Sequence, residues 1–319
     1  MIRLFRAALC SAVLLALLAA VPAHAQKDTI TFGSTNAASS NYALAVAMTK
    51  AIKKDLPNAN VSMIETGASV DNIRRMTKKE IDFGLVMADT SLQAMHGVGP
   101  FKGKPVSDMA VLYVHDAAAL QFAVRADAKV RNLTDLAGKR FSAGIRGSGA
   151  ELLTREMFRV LKIEPNWVPG SISDAVEGVQ NRQLVGYAKY GVGTGGLDAT
   201  MRELLTSTPM QFVGFTEEQR KLVQAHVNGV DFMDIPANTI PGQPAALSPL
   251  VYATYSTRLS LMDDATAYAI AKAIYDHRQD LIDVFPHLKN FDFKAAALKT
   301  EQLGLKLHPG AKRFWESVH

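Results

Sequence analysis

The sequence predicts an α/β protein of two lobes, each built on parallel βαβ units, with two extended crossings between them. Three observations carry this reading. A strand, a loop of small polar residues and an amphipathic helix recur in that order. The recurrences fall into two sets. Two apolar stretches without helical periodicity flank the second set.

In the first set, Thr29–Gly33 is strand-like and runs into the small polar loop 34–41. Residues 42–52 then carry helical periodicity, with Leu44, Met48 and Ile52 on one face, before Pro57 and Asn58 punctuate. Residues 61–65 alternate as a strand does, Thr66-Gly67-Ala68-Ser69 is the loop, and 70–79 is a helix with Val70, Ile73 and Met76 apolar. The apolar run 83–88 is short enough for a buried strand.

The second set repeats the scheme. Residues 140–144 form a strand, Arg146-Gly147-Ser148-Gly149 a loop, and 151–161 a helix. Residues 167–170 are extended, 171–173 turn, 174–181 are helical and 184–187 strand-like. Segments 69–85 and 173–187 share an outline, which speaks for common architecture rather than common ancestry.

Residues 111–114 and 120–125, on either side of His115-Asp116, give the outbound crossing. Residues 250–255, after the Pro/Gly-rich stretch 235–249, give the return. The division is then lobe 1 from 26–115 with 250–319, and lobe 2 from 116–249. A helix over 263–284 returns to lobe 1, and His308-Pro309-Gly310-Ala311 opens a last short helix carrying Phe314 and Trp315.

Composition limits the function classes. With 319 residues, 48% of them hydrophobic and 20% charged, the chain is neither disordered, collagen-like nor a multi-span membrane protein. The formal charge of +5 is not clustered: Lys53-Lys54, Arg74-Arg75 and Lys78-Lys79 are short runs on helix faces, which excludes a nucleic-acid partner.

Residues 1–25 read as a secretory signal peptide: Arg3 and Arg6, the apolar run 7–21, and Ala23-His24-Ala25 as the cleavage site. The apolar run falls short of the ~20 residues that a spanning helix needs, which argues against a retained anchor. Cys10, the single cysteine, lies in this leader, and Leu9 stands before it where a lipid-attachment site wants a small residue. Cleavage after Ala25 leaves a cysteine-free chain without disulfide or thiolate metal site, and its formal charge falls from +5 to +3. A bacterial periplasm is the expected compartment.

Each small-residue loop ends a strand and starts a helix, where the first N–H groups have no internal partner and the helix dipole is positive. Several such loops at the carboxyl ends of parallel strands make a receptor for a carboxylate or phosphate. Gly147, Ser148 and Gly149 are the strongest case, with Ser148 and Glu151 at capping-box spacing and Arg146 at the mouth. Gly67, Ala68 and Ser69 are the second, with Ser69 as N-cap. Ser34 and Thr35 offer hydroxyls. Tyr42 is a ligand-stacking or a core residue, and Lys189 a counter-charge or a surface cation. Metalloprotease, serine-hydrolase and phosphate-binding-loop signatures are absent, and the eight histidines lack ligand spacing, so neither metal, cofactor nor catalytic residues are expected. His115 and Asp116 are a poor acid–base pair, because neighbours on a strand face opposite ways.

These residues resemble the TAXI family, the periplasmic solute receptors of tripartite ATP-independent periplasmic (TRAP) transporters, over residues 29–316. Thr66-Gly67-Ala68-Ser69-Val70-Asp71-Asn72 is similar to the family's T-G-A-S-x-x-N, and Ile81-Asp82-Phe83-Gly84-Leu85-Val86 with Ala88-Asp89 to its D-x-G-I-V-x-A-D. Arg146-Gly147-Ser148-Gly149-Ala150-Glu151 is similar to G-S-G-T-E, and Pro241-Gly242-Gln243 and Leu307-His308-Pro309-Gly310-Ala311 match further. Met87 and Ala150 depart from the usual Gln and Thr, and the first loop lacks the family's glycines.

The resemblance implies the type II periplasmic binding-protein fold, a Venus flytrap that closes on a small organic anion of the amino-acid or dicarboxylate class. It implies Ser34, Thr35, Tyr42, Gly67, Ala68, Ser69, Gly147, Ser148 and Gly149 as cleft residues, membrane permease subunits as partners, and a soluble monomer. Two other readings stay open: a periplasmic dehydratase or lyase on the same scaffold, with Glu65 or Asp89 as its acid, and a receptor that presents its ligand to a membrane sensor kinase.

Overall fold

The computed structural model describes residues 27–193 and 195–319; the expected leader, residues 1–25, lies outside them. The first set forms as β1 (Thr29–Gly33), α1 (Ser40–Asp55), β2 (Asn60–Ile64), α2 (Ser69–Thr77), β3 (Phe83–Met87) and α3 (Ala88–His96). Helix α1 starts two residues earlier than periodicity predicts, because the Ser39 hydroxyl accepts the Asn41 N–H and caps it inside the polar loop. The second set is β5 (Arg140–Ser142), α4 (Gly149–Leu161), β6 (Asn166–Trp167), α5 (Ile172–Gln180) and β7 (Gly186–Tyr190).

Two long strands lie between the sets: β4 (Met109–Arg125) and β10 (Ala246–Arg258). The sheet runs β2-β1-β3-β10-β4-β7-β5-β6. At one end β1 pairs parallel with β2 and β3. At the other, β5 pairs parallel with β6 and β7. Between them β10 is antiparallel to β3 and β4, and β4 antiparallel to β7. A mixed sheet of this kind curls, with parallel βαβ units at both ends.

The sequence reading of 111–114 and 120–125 as separate stretches needs correction: β4 is one strand of 17 residues. His115 and Asp116 do not interrupt it, because its register against β10 skips Leu112 and His115, two β-bulges that absorb the extra residues. The alternation argument does not hold across a bulge. His115 and Asp116 are both buried, and His287 Nε2 stands 3.1 Å from Asp116 Oδ1.

The stretch between β7 and β10, which the sequence reading passed over, is structured. It holds α6 (Ala199–Leu205), β8 (Met210–Phe212), α7 (Glu217–His226) and β9 (Asp231–Ile235). Strand β8 pairs with β4, and β9 with β10. The helix expected over 263–284 is two, α8 (Asp264–Asp276) and α9 (Arg278–Val284). They break at His277, which leaves helical geometry and meets Asp55 Oδ1 at 2.7 Å.

Two short helices close the chain, α10 (Phe293–Lys299) and α11 (Pro309–Ser317), the latter starting with Pro309 in its first turn as expected. The C-terminal segment docks on β4 at a bulge. Val111 N–H donates to the Lys306 carbonyl, His308 N–H to the Val111 carbonyl, and fully buried Trp315 donates from Nε1 to the Leu112 carbonyl at 2.8 Å. Stacked pairs Phe32–Phe83 and Tyr113–Tyr255 fill the core beneath, with ring centroids 4.6 and 5.3 Å apart. No helix among the described residues is long and apolar enough to cross a membrane.

Candidate functional site

The loops at the carboxyl ends of β1, β2, β3 and β5 meet above the middle of the sheet. Asn72, buried on α2, ties three of these segments: its side-chain amide donates to the carbonyls of Ser34 (3.0 Å) and Leu85 (2.8 Å). Thr66 Oγ1 donates to the Ser34 carbonyl and accepts the Ala68 N–H. The T-G-A-S-x-x-N pattern is thus a lock between the first two loops.

Ser69 is not the N-cap that the sequence suggested. Ala68 holds that position, at φ 65° and ψ −147°, a region other residues than glycine seldom occupy. This turn sends the Ser69 hydroxyl to accept the Met87 N–H at 3.0 Å, joining α2 to the end of β3. Ser69→Ala is therefore expected to cost about 1–2 kcal/mol, for a buried amide left unpaired. The urea midpoint measures it, and an unchanged midpoint would contradict that role.

The loop from the other end of the sheet makes direct contact. Gly147, in left-handed geometry at φ 81°, turns its carbonyl to the start of α2, where the Val70 and Asp71 N–H groups donate to it at 2.9 and 3.3 Å. Gly67 allows the approach: a Cβ there would lie 2.7 Å from the Arg146 carbonyl oxygen. Around α4, Ser148 Oγ accepts the Glu151 N–H, as predicted. The Glu151 carboxylate accepts the Gly147 N–H rather than that of Ser148, whose N–H goes to the Ile145 carbonyl.

In the first turns of α2 and α4, three amides keep no protein acceptor among the described residues: Ser69 on α2, and Gly149 and Ala150 on α4. All three residues line one cavity, about 450 Å³ with its open mouth included. Thr35, Ala68, Ser148 and Lys189 line it too, so six of the eleven sequence-derived candidates come together: Thr35, Ala68, Ser69, Ser148, Gly149 and Lys189. The other five do not reach the wall. Ser34 is fully buried, Gly67 lies against the Arg146 carbonyl and Gly147 against Asp71, Tyr42 is half-buried, and Arg146 is exposed. Sequence reasoning missed Ser39, Asn41, Tyr190 and an apolar side formed by Leu85, Met87, Ile145 and Ala188.

Lys189 is 9% exposed and pairs with the carboxylate of Asp198, the N-cap of α6. Burial alone pulls the Lys189 ammonium down to about 7. The buried Asp198 carboxylate in contact works the other way, favouring the charged ammonium. On α3, Asp89 is 1% exposed and neither carboxylate oxygen has a hydrogen-bond partner. Burial pushes it up to about 7, against the pull of the Thr90 N–H at the helix start. At the β4 bulge, burial takes His115 down to about 4, opposed by Asp116; its Nε2 meets Asn41 Oδ1 at 3.2 Å.

A curled mixed sheet thus brings helix starts from both of its ends to one small cavity. Similar solved structures include MatC from Rhodopseudomonas palustris with bound malate, at 10% identity over 90% of this chain and 98% of that one, TM-score 0.58. The alkanesulfonate-binding protein SsuA from Xanthomonas axonopodis pv. citri bound to MOPS is similar at 14% identity over 88% and 85%, TM-score 0.50. CAE31940 from Bordetella bronchiseptica follows at 11% over 91% and 98%, TM-score 0.56. Residues 32–317 match the NMT1-like family, and the chain belongs to it.

Proposed function

We propose that this chain is a periplasmic solute-binding protein of the TAXI type, exported by the leader 1–25, that captures a small organic anion and delivers it to a TRAP-type permease. The observation that carries the reading is the set of three unpaired amides, Ser69, Gly149 and Ala150, brought to one cavity by two helix starts from opposite ends of the sheet. Malate in MatC and the sulfonate MOPS in SsuA are organic anions and support the class.

The lobes in this proposal are 26–115 with 250–319, and 116–249, and they close about β4 and β10. A ligand that needs amides from both is satisfied only in the closed form, and that differential affinity drives closure. Beyond the Gly147 carbonyl, Ala199 N–H donates to Ser40 Oγ at 2.9 Å and Gln93 Nε2 to Glu156 Oε2 at 3.1 Å between the lobes so drawn. Binding without chemistry fits better than an enzyme. Glu65 is exposed and spends one oxygen on Asn36 and Ala37, while Asp89 does not line the cavity.

Titration calorimetry of the leaderless protein tests the reading. Small carboxylates are expected to bind and their amides not to, because an amide brings no charge to the helix starts. Ala150→Leu, which fills the cavity beside two of the donors, is expected to weaken binding at least tenfold with an unchanged circular-dichroism spectrum. Equal binding of amide and acid, or full affinity in the folded variant, places the site elsewhere.

A further inference from the structure

We infer that the ligand is a monoanion with an apolar body, a small monocarboxylate, rather than a dicarboxylate or an amino acid. This rests on the reading of the cavity as a carboxylate site and narrows the ligand class that the sequence implied.

The argument is one of charge. Among the described residues, Lys189 is the one charged side chain on the cavity wall, and Asp198 already neutralises it. Arg146, the other cation considered for this site, is exposed and off the wall. One carboxylate finds three helix-start amides and the hydroxyls of Ser69 and Ser148. A second carboxylate on the same ligand finds no cation left to balance it. It would face Leu85, Met87, Ile145 and Ala188 and the neutral groups of Thr35, Ser39, Asn41 and Tyr190, none of which carries a balancing charge, and burying a second charge there is unfavourable.

An amino acid fails for the opposite reason. Its ammonium needs a carboxylate, and among the described residues none lines the cavity, while Asp198 is committed to Lys189. Asn41 Oδ1 is taken by His115. The apolar side is instead matched by a hydrocarbon or keto chain of a few carbons, or by an aromatic ring.

Calorimetry of the leaderless protein against three sets of probes decides the matter: the monoacids butanoate, 4-methyl-2-oxopentanoate and benzoate; the diacids succinate and 2-oxoglutarate; and the amino acids leucine and glutamate, with butanamide and benzamide as uncharged controls. At least one monoacid is expected to bind ten times or more tighter than every diacid and amino acid. A diacid or amino acid that binds within tenfold of the best monoacid overturns the inference and leaves the carboxylate site standing. Binding by no acid at all, or equal binding by an amide, overturns both.

Discussion

Replacing Lys189 by methionine is expected to destabilise the fold by about 3–5 kcal/mol, the usual result of leaving one member of a buried ion pair without the other. Asp198 is 4% exposed, so water does not take over from the lost ammonium. The urea midpoint should fall with the slope unchanged, which marks a loss of stability rather than a change in the unfolded state. Adding Asp198→Asn removes the stranded charge while keeping an oxygen for the Met201 N–H that Asp198 caps at 3.0 Å, and should restore most of the loss. The experiment separates two roles for this lysine. If it serves the ligand alone, the single variant loses affinity and keeps its midpoint; a structural pair loses both.

The second large effect concerns Asp89. Its carboxyl is raised from 3.8 to about 7 by burial, above its value in the unfolded chain. The stability tied to its protonated form is fully present below pH 3.8 and is lost as pH rises through 7. A rise of that size corresponds to about 4 kcal/mol between the two limits. Asp89→Asn, which cannot ionise, should therefore match the parent near pH 4 and exceed it by about 2–4 kcal/mol at pH 8. His115 bends the curve the other way: its value is lowered, so its contribution is complete above 6.5 and lost as pH falls toward 4. That slope is common to both proteins and cancels in their difference. Parallel midpoint curves for parent and variant from pH 4 to 8 would show that Asp89 does not hold a proton in the folded state.

The repeating strand, loop and helix were legible because each uses a short-range code: alternation, small polar residues, then apolar residues at helical spacing. The loops 66–69 and 146–149, which meet at the cavity, were legible as helix-starting loops for the same reason. What sequence could not supply was competition for the donors. The first amides of α2 read as lacking an internal partner, yet those of Val70 and Asp71 are taken by a carbonyl some 75 positions away in the chain, from Gly147. Ser69 carried the right residue type for a cap, but a left-handed turn at Ala68 moved it by one position. Lys189 read as an open cation because its partner Asp198 lies beyond a loop with no periodicity. One missed element did leave a trace: Thr216-Glu217-Glu218-Gln219 is a reciprocal cap in the structure, and its spacing alone would have started α7. The apolar wall left none, since Leu85, Met87 and Ala188 are the ordinary residues of buried strands.

Strand β4 has a mechanical meaning. It serves β10 along one stretch and β7 along the next without releasing its ladder. The two ends of the molecule are therefore linked by a leaf spring, not by a slack tether. Any movement of one end against the other would have to bend hydrogen-bonded backbone, most easily where Leu112 and His115 interrupt the register.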